Sequence, residues 1–377
     1  MDQERVVLII SEHPEEGWGG PVHYISILIP VLHRMGFQIW LLADGGVSER
    51  LGGVLKANNV HVLPRHGGVL FVRKFLSKLP RILRYPIESV VLASWLKSGT
   101  AKPERVIVSL CSPGRYLWPS GLLGRGMFVF HSEPSGPRHA LAGTIFRFLA
   151  GKKATFIGVS EWVTKSLRDV WRIRENRIRL VTMINPSTSA VAPVPYVPEE
   201  RKVILMVGAA NEYKNPWFWL EVAQYVVEHG QPDSIRFRWV GEGPLLNDMR
   251  KWVRDRGLTG AIEFPGYSED LTKHYDEAVV YFQCSVKETS SFSTIDAVNF
   301  GLPLLLSTNG GLGEILKDKE NGLSVDLSSV RSTSTKLISL LSDPGLLIAF
   351  SAHTQKFGKH KYSLPDWERR ISELLIP

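Results

Sequence analysis

The sequence predicts an α/β protein with two domains, and three observations support that prediction. The 377 residues exceed what one hydrophobic core usually organises. Short apolar runs that suit buried strands alternate with helical patterns, as where Ala278–Cys284 precedes a helical run that stops at Gly301. Pro193, Pro195 and Pro198 lie in a stretch that reads as a stiff linker. We therefore expect one domain at residues 1–190 and another at 200–358.

Composition limits the classes of function. The hydrophobic fraction of 44% with 10% aromatics is typical of a folded globular protein. No apolar run approaches the roughly 20 residues of a membrane span, and MDQERVVLII opens with acids and lacks the features of a signal peptide. Cys111 and Cys284 lie in or beside apolar runs without metal-ligand spacing, which indicates buried thiols in a reducing compartment. A cytoplasmic location is expected.

The positive charge is concentrated in the first half of the chain. Residues 1–195 hold 25 Lys and Arg against 13 Asp and Glu, a net charge of +12, whereas the remainder carries −4. Five cations alternate with large apolar residues in a stretch free of acids, here called the basic segment: Arg73, Lys74, Lys78, Arg81 and Arg84. An amphipathic helix at an anionic membrane has this pattern, and so does a helix that packs on a sheet. No nucleic-acid-binding motif is present, so no nucleic acid is expected as a partner.

A strand, loop and helix between Tyr281 and Phe300 form the strongest candidate site. Ligands of open α/β sheets bind where a strand ends and a helix begins, because free N–H groups and the positive end of the helix dipole meet there. Glu288 in the loop and Asp296 on the helix lie eight positions apart, and their carboxylates would accept hydrogen bonds from sugar hydroxyls. Alternatively, Ser293 and Asp296 form a capping box and Glu288 is a solvated loop acid.

This stretch, ETSSFSTIDAVNFGLP, resembles the E-x7-E signature of the retaining family 4 glycosyltransferases, with Asp296 in place of the second Glu. Gly310, Gly311 and Glu314 follow like the family's G-G-x-x-E turn. The resemblance implies the GT-B fold, which has two facing Rossmann-like domains and a C-terminal helix, here about 360–377, that crosses back to the first domain. It also implies that Glu288 contacts the donor sugar or its diphosphate and that Asp296 contacts the ribose.

Further positions of the second domain follow the same resemblance. Lys214 matches the lysine of G-R-L-x-x-x-K-G that holds the leaving diphosphate, but Ala209 occupies the arginine position, which removes a bidentate phosphate contact. Gly241 opens a turn similar to the family's G-x-G-P beside the nucleotide, and residues 263–267 resemble a loop that meets the base. The helix start, Ser291, Phe292 and Ser293, would receive phosphate.

In the first domain, Gly19 and Gly20 follow a strand and allow close backbone approach to a phosphate, although most such pairs only make a tight turn. His131 ends another strand in H-S-E-P. The family often has a similar H-x-E-P, whose His approaches the donor sugar and acceptor, while Glu133 would shape the acceptor side. A structural role for His131 remains open. Ser160 is expected to cap the helix that follows it.

The resemblance implies transfer, with retention, of a sugar from a nucleotide-diphosphate sugar to a sugar or lipid-linked acceptor, in glycolipid, lipopolysaccharide or polysaccharide assembly. The donor is a substrate, no cofactor is expected, and no Asp-x-Asp occurs for a metal. Peripheral contact with an anionic membrane is expected through the basic segment. A non-catalytic nucleotide-sugar-binding or partner protein of the same fold remains the alternative, favoured by Ala209. An epimerase of similar architecture would lack the E-x7-E arrangement.

Overall fold

The computed structural model describes residues 5–12, 19–43, 45–63, 103–110, 126–134, 143–144, 153–189, 196–230 and 235–375. The basic segment and Cys111 lie outside these ranges. The chain divides into two compact units, of which the first comprises Met1–Met183 with Trp367–Pro377 and the second comprises Ile184–Asp366. The first unit thus ends seven residues before the boundary at 190 that we predicted.

The first unit is built on a parallel sheet. Its described strands are β1 (Val6–Glu12), β2 (Gln38–Leu42), β3 (His61–Val62), β4 (Arg105–Leu110), β5 (Gly126–Phe130), β6 (Thr155–Gly158) and β7 (Ile178–Leu180), in the spatial order β3-β2-β1-β4-β5-β6-β7. Its described helices before the C-terminal one are α1 (Gly20–Arg34), α2 (Gly45–Arg50), α3 (Gly52–Ala57) and α4 (Glu161–Asp169). Strand β1 is apolar from Val6 to Ile10 and β5 carries no polar side chain, as expected for a parallel sheet that is covered on both faces.

Two predicted helix starts are found in this unit. Gly19 is the N-cap of α1, and Pro21 lies in its first turn, where the missing N–H of proline is not needed. The hydroxyl of Ser160 accepts a hydrogen bond from the backbone N–H of Val163, so the predicted cap of α4 is confirmed.

The second unit is built on another parallel sheet. Its described strands are β8 (Val203–Val207), β9 (Arg236–Val240), β10 (Ile262–Gly266), β11 (Ala278–Gln283), β12 (Leu304–Leu306) and β13 (Gly322–Ser324), in the spatial order β10-β9-β8-β11-β12-β13. Its described helices are α5 (Pro186–Ser189), α6 (Pro216–His229), α7 (Leu246–Asp255), α8 (Thr272–Asp276), α9 (Phe292–Asn299), α10 (Leu312–Ile315), α11 (Val330–Leu341) and α12 (Pro344–Lys361). Trp219 and Trp239 pack edge to face at 5.4 Å in its core.

The prediction of a loop at residues 263–267 was wrong for most of that stretch. Ile262–Gly266 forms β10, which pairs with β9 in parallel register up to a shift between Glu263 and Gly266. Pro265 has no N–H for a ladder bond, but β10 is an edge strand, where one side needs no partner. The resemblance to the family implied a loop here, whereas residues Ile262–Gly266 form a strand.

The chain ends in helix α13 (Leu364–Leu375), most of which belongs to the first unit. Trp367, Ile371 and Leu375 are buried along one side of it, whereas Leu374 is half-buried. The indole Nε1 of Trp367 donates to the carbonyl of Thr182 at 2.9 Å. Among the described residues no single helix has the length and hydropathy of a membrane span; α11 passes that test only jointly with residues 344–375, across a bend of 96°.

Candidate functional site

The helix of the candidate site begins with a serine cap. Strand β11 ends at Gln283, and α9 begins at Phe292, whose side chain is half-buried. The Oγ of Ser291 accepts a hydrogen bond from the N–H of Thr294 at 3.3 Å. The alternative capping box of Ser293 and Asp296 is therefore wrong, since Ser291 is the cap. The first turn of α9 lies at the carboxyl edge of the sheet, where anions find free N–H groups.

The loop before this helix is held by backbone contacts on both sides. The N–H of Val286 donates to the carbonyl of Tyr213 at 2.8 Å. On the other side, the N–H of Gly311 donates to the carbonyl of Glu288 at 2.6 Å, and Glu288 pairs with Gly310 in an isolated parallel bridge. Gly310 has a φ of +84°, and a Cβ there would collide with the backbone of Glu288. The G-G turn therefore supports the backbone that carries Glu288.

Lys214 and Glu288 form an ion pair in this loop cluster. The Nζ of Lys214 lies 2.5 Å from the Oε2 of Glu288, and their side chains are only 8% and 11% exposed. Burial alone would lower the pKa of the Lys214 ammonium, but the Glu288 carboxylate outweighs it and the pKa is raised. Lys214 ends a short 3-10 turn, Glu212–Lys214, that Asn211 caps. The site therefore presents a protonated ammonium already paired with a carboxylate.

Gly208 leaves the space that this ammonium uses. A Cβ on Gly208 would lie 3.4 Å from the Cε of Lys214, and Gly208 has a φ of +155°. Gly241, with a φ of +137°, lies so close to Gly208 that a Cβ would meet the carbonyl of Gly208. Ala209 follows with an exposed methyl group. Gly241 is thus needed for the packing of the turns after β8 and β9, and its predicted contact with a nucleotide stays a prediction.

Asp296 is a buried carboxylate with two donors. Its Oδ1 accepts hydrogen bonds from the Nδ2 of Asn185 at 2.7 Å and from the hydroxyl of Thr188 at 2.8 Å. Asn299 in turn donates to Thr188 at 2.9 Å. Burial raises the pKa of Asp296 to about 6, and the two donors only partly oppose this rise. The role of Asp296 at a ribose stays a prediction, and sequence analysis did not foresee its partners Asn185 and Thr188 at the start of α5.

Sequence analysis also missed Gln283. The side chain is fully buried at the end of β11 and contacts Ser291, Thr294 and Glu288. The available signal was an amide in an otherwise apolar strand, at the strand end that faces the loop. Ser293, predicted as a phosphate contact, accepts a hydrogen bond from the hydroxyl of Tyr281 at 2.9 Å.

The other predicted site residues belong to the first unit. Gly19 and Gly20 form the amino end of α1 and contribute only backbone. His131 follows β5, and the residue is only 6% exposed. Its Nε2 lies 2.9 Å from the Oγ of Ser109, and the ring packs edge-on against Tyr24 at 5.1 Å. Glu133 is half-buried. The proposed contacts of these residues with acceptor and donor stay predictions.

Within the described ranges, no group of three or more His, Cys, Asp or Glu side chains is arranged to hold a metal ion. Cys284 is a buried free thiol, as expected, and its Sγ contacts the carbonyl of Asn215 at 3.5 Å. Burial raises the pKa of this thiol.

Residues 192–360 match the family model described as glycosyl transferases group 1. A relative from Escherichia coli, the UDP-Gal:alpha-D-GlcNAc-diphosphoundecaprenol alpha-1,3-galactosyltransferase, is 28% identical over 148 residues, which are 39% of this chain and 38% of that protein. The first curated relatives are matched over 38% to 53% of their own length. The chain therefore spans about half or less of these proteins.

The fold resembles solved structures over nearly the whole chain. A glycosyltransferase from Rickettsia africae has a TM-score of 0.76 at 15% identity, with 99% of this chain and 98% of that one covered. HepE from Anabaena, solved in complex with UDP, has a TM-score of 0.73 at 13% identity, with 98% and 99% covered. At such identities the likeness concerns the fold alone. Together with the two parallel sheets, it confirms the predicted class of two Rossmann-like α/β domains, the GT-B fold.

Proposed function

We propose that this chain, whose residues 192–360 match the model of the glycosyl transferases group 1, transfers a sugar from a nucleotide-diphosphate sugar to an acceptor with retention of configuration. The observation that carries the proposal is the pairing of Lys214 with Glu288 beside the amino end of α9. A cation, a carboxylate and the positive amino end of a helix at one sheet edge suit a sugar diphosphate.

We assign the donor to the second unit. The diphosphate is met by Lys214 and by the first turn of α9 at Ser291–Ser293, the sugar by Glu288 and the ribose by Asp296. Helix N-termini and ammonium groups stabilise the charge that develops on a leaving diphosphate. The burial of Asp296 supports the assignment. Burial raises the pKa of this carboxylate to about 6 because its charge is costly there, and a carboxylate that is retained at such a cost suggests a function.

The chemistry follows from these groups without a metal or a protein nucleophile. The bond between the anomeric carbon and the diphosphate oxygen breaks while the acceptor oxygen bonds to the same face of that carbon. The acceptor proton passes to the departing phosphate oxygen, so charge and protons balance. Lys214 stays protonated throughout, since its pKa is raised, and it stabilises the departing diphosphate. The donor is a substrate in this mechanism, and no cofactor takes part.

We propose a sugar or lipid-linked acceptor, held by the first unit with His131 and the Gly19–Gly20 turn, at the cytoplasmic face of a membrane. The Escherichia coli relative is named for a diphosphoundecaprenol acceptor, and this supports a lipid-linked acceptor for the present chain. The net charge of +12 over residues 1–195 and the basic segment support approach to anionic lipid. The pathway would be glycolipid, lipopolysaccharide or polysaccharide assembly.

One observation favours a second candidate, a non-catalytic nucleotide-sugar-binding protein. Ala209 presents a methyl group where the resembled family has an arginine, and the remaining cation of this cluster, Lys214, is already paired with Glu288. Such a protein would bind a nucleotide sugar without turning it over. Binding without turnover therefore separates the two candidates.

The experiment is a transfer assay with nucleotide sugars of different bases and sugars, lipid-linked acceptors and a chelator. Product analysis by NMR should show the anomeric configuration of the donor preserved, with activity unaffected by the chelator. An inverted product, or activity lost with the chelator and restored by a metal, contradicts the proposed mechanism. Binding of a nucleotide sugar without product would support the non-catalytic alternative.

A further inference from the structure

Gln283 is the polar centre of the strand-loop-helix site. It is the last residue of β11 and is fully buried, although β11 is otherwise a run of apolar and aromatic residues. A buried amide is costly unless its oxygen and nitrogen both find partners. Its partners are therefore informative about what the amide does.

The oxygen of Gln283 faces the start of α9. Its Oε1 accepts from the hydroxyl of Thr294 at 2.7 Å and from that of Ser291 at 3.2 Å. The hydroxyl of Tyr281 lies 2.9 Å from both this oxygen and the Oγ of Ser293, which is 3.1 Å from Ser291. A chain of hydroxyls from Tyr281 through Ser293 and Ser291 can thus donate toward the amide oxygen, and each bond in such a chain strengthens the next.

The nitrogen of Gln283 faces the loop. Its Nε2 lies 2.9 Å from the Oγ of Ser285 and 3.5 Å from the Oε2 of Glu288, the oxygen that also binds Lys214. A hydroxyl can donate or accept, but a carboxylate only accepts. The amide must therefore turn its NH₂ group toward Glu288 and its oxygen toward the helix, so its orientation follows from the chemistry of its neighbours.

We propose that Gln283 is a positioning residue that holds the Glu288 carboxylate and the first turn of α9 in one arrangement. It joins the two parts of the site that we assign to the donor, namely the carboxylate at the sugar and the helix start at the diphosphate. A methionine there would fill the same space but offer neither acceptor nor donor, so Thr294 and Ser291 would lose their buried acceptor. This inference rests on the proposed function, because it concerns the same donor site.

The test is a double-mutant cycle on binding. UDP-glucose, GDP-mannose and ADP-glucose are titrated calorimetrically into the full chain carrying Gln283→Met, Glu288→Ala or both. Gln283→Met should weaken binding of the preferred donor about tenfold, the effect expected from losing hydrogen bonds to a charged site. In the Glu288→Ala background the same change should cost no more than about threefold, because residues that act through one another do not add.

Two further variants keep the test decisive. Thr294→Val removes the shortest hydrogen bond to the amide with little change of shape, and it should weaken binding about threefold even if Gln283→Met does not fold. Thr354→Val is the matched control, since Thr354 is fully buried in the same unit and donates to Phe350 instead. It should lower the melting temperature without changing donor affinity.

The outcomes separate the two proposals. If the wild type binds none of the three donors, the proposed function and this inference both fall. If the wild type binds a donor but Gln283→Met and Thr294→Val leave its affinity unchanged, or if the losses from Gln283→Met and Glu288→Ala multiply without coupling, Gln283 only fills the core and the inference alone is overturned. A loss of affinity in Thr354→Val equal to that in Thr294→Val would overturn it as well.

Discussion

Replacing Asp296 by Asn should stabilise the protein at neutral pH while weakening nucleotide binding. The carboxylate is 4% exposed, and its pKa is about 6 against an ordinary value of 3.8. Between these values the folded chain holds a proton that the unfolded chain has released, so stability falls as pH rises through this window. A shift of 2.2 units corresponds to about 3 kcal/mol at 1.36 kcal/mol per unit. The asparagine keeps an acceptor for Asn185 and Thr188 without the buried charge.

Urea unfolding of wild type and Asp296→Asn from pH 4.5 to 8 measures this effect, since other titrating groups cancel in the difference. The difference in unfolding free energy should grow in favour of the variant up to about pH 7, to at most about 3 kcal/mol, and then level off. Glu221→Gln, which removes an exposed carboxylate of α6, is the control and should show no such rise.

The same variant should bind a nucleoside diphosphate less tightly by about 1.5–3 kcal/mol, the value of a hydrogen bond to a charged group. A variant that is more stable but binds the nucleotide less tightly is expected where the wild-type residue serves binding and lowers the stability of the fold. A variant that is destabilised at pH 7, or that shows the same stability difference from wild type at every pH, would refute the reasoning about the buried charge. Unchanged affinity would refute the ribose role.

Three further predictions concern the loop and the basic segment. Lys214→Met should destabilise the protein by about 3–5 kcal/mol in urea unfolding, because it leaves the buried Glu288 carboxylate unpaired; adding Glu288→Gln should recover part of that loss, and no recovery would count against the pair. Gly310→Ala should cost about 1–3 kcal/mol, since alanine is strained at a φ of +84°, with Gly260→Ala, where a Cβ meets nothing within 4 Å, as its control. Reversing three charges of the basic segment should abolish co-sedimentation with anionic liposomes at low salt. Binding of the wild type should weaken at higher salt, because salt screens charges beyond about 8 Å. If the variant still binds the liposomes, the basic segment does not mediate membrane contact.

Much of the fold is readable from the sequence because parallel sheets leave a strong pattern. The runs that open β1, β8 and β11 are apolar, and each gives way to a Gly or a polar residue where the chain leaves the sheet, namely Ser11, Gly208 and Gln283. The resemblance to the family failed at residues 263–267, where it implied a loop although Ile262–Gly266 forms β10. Pro265 is tolerated in this strand because β10 lies at the sheet edge. Whether a strand lies at the edge or in the middle of a sheet depends on the tertiary structure, which a local sequence pattern does not encode.

Sequence analysis named the charged residues that the structure brings together here but not three of their neutral partners, Gln283, Asn185 and Thr188. Lys214 and Glu288 were each predicted from motifs, but their pairing depends on two loops meeting across 74 positions of the chain. Asp296 was placed correctly on its helix, whereas its donors Asn185 and Thr188 lie more than a hundred positions earlier. Gln283 carries no charge and matches no motif, so only the geometry around its amide shows that it links the loop to the helix.

The most direct test of the account is the position of the diphosphate in a crystal structure of the full chain with a bound nucleoside diphosphate or nucleotide sugar. The account predicts phosphate oxygens at hydrogen-bond distance, about 3 Å, from the first-turn N–H groups of α9 and from the Nζ of Lys214, with the ribose hydroxyls on Asp296. Phosphates bound away from α9 and Lys214, with Asp296 still held only by Asn185 and Thr188, would contradict it.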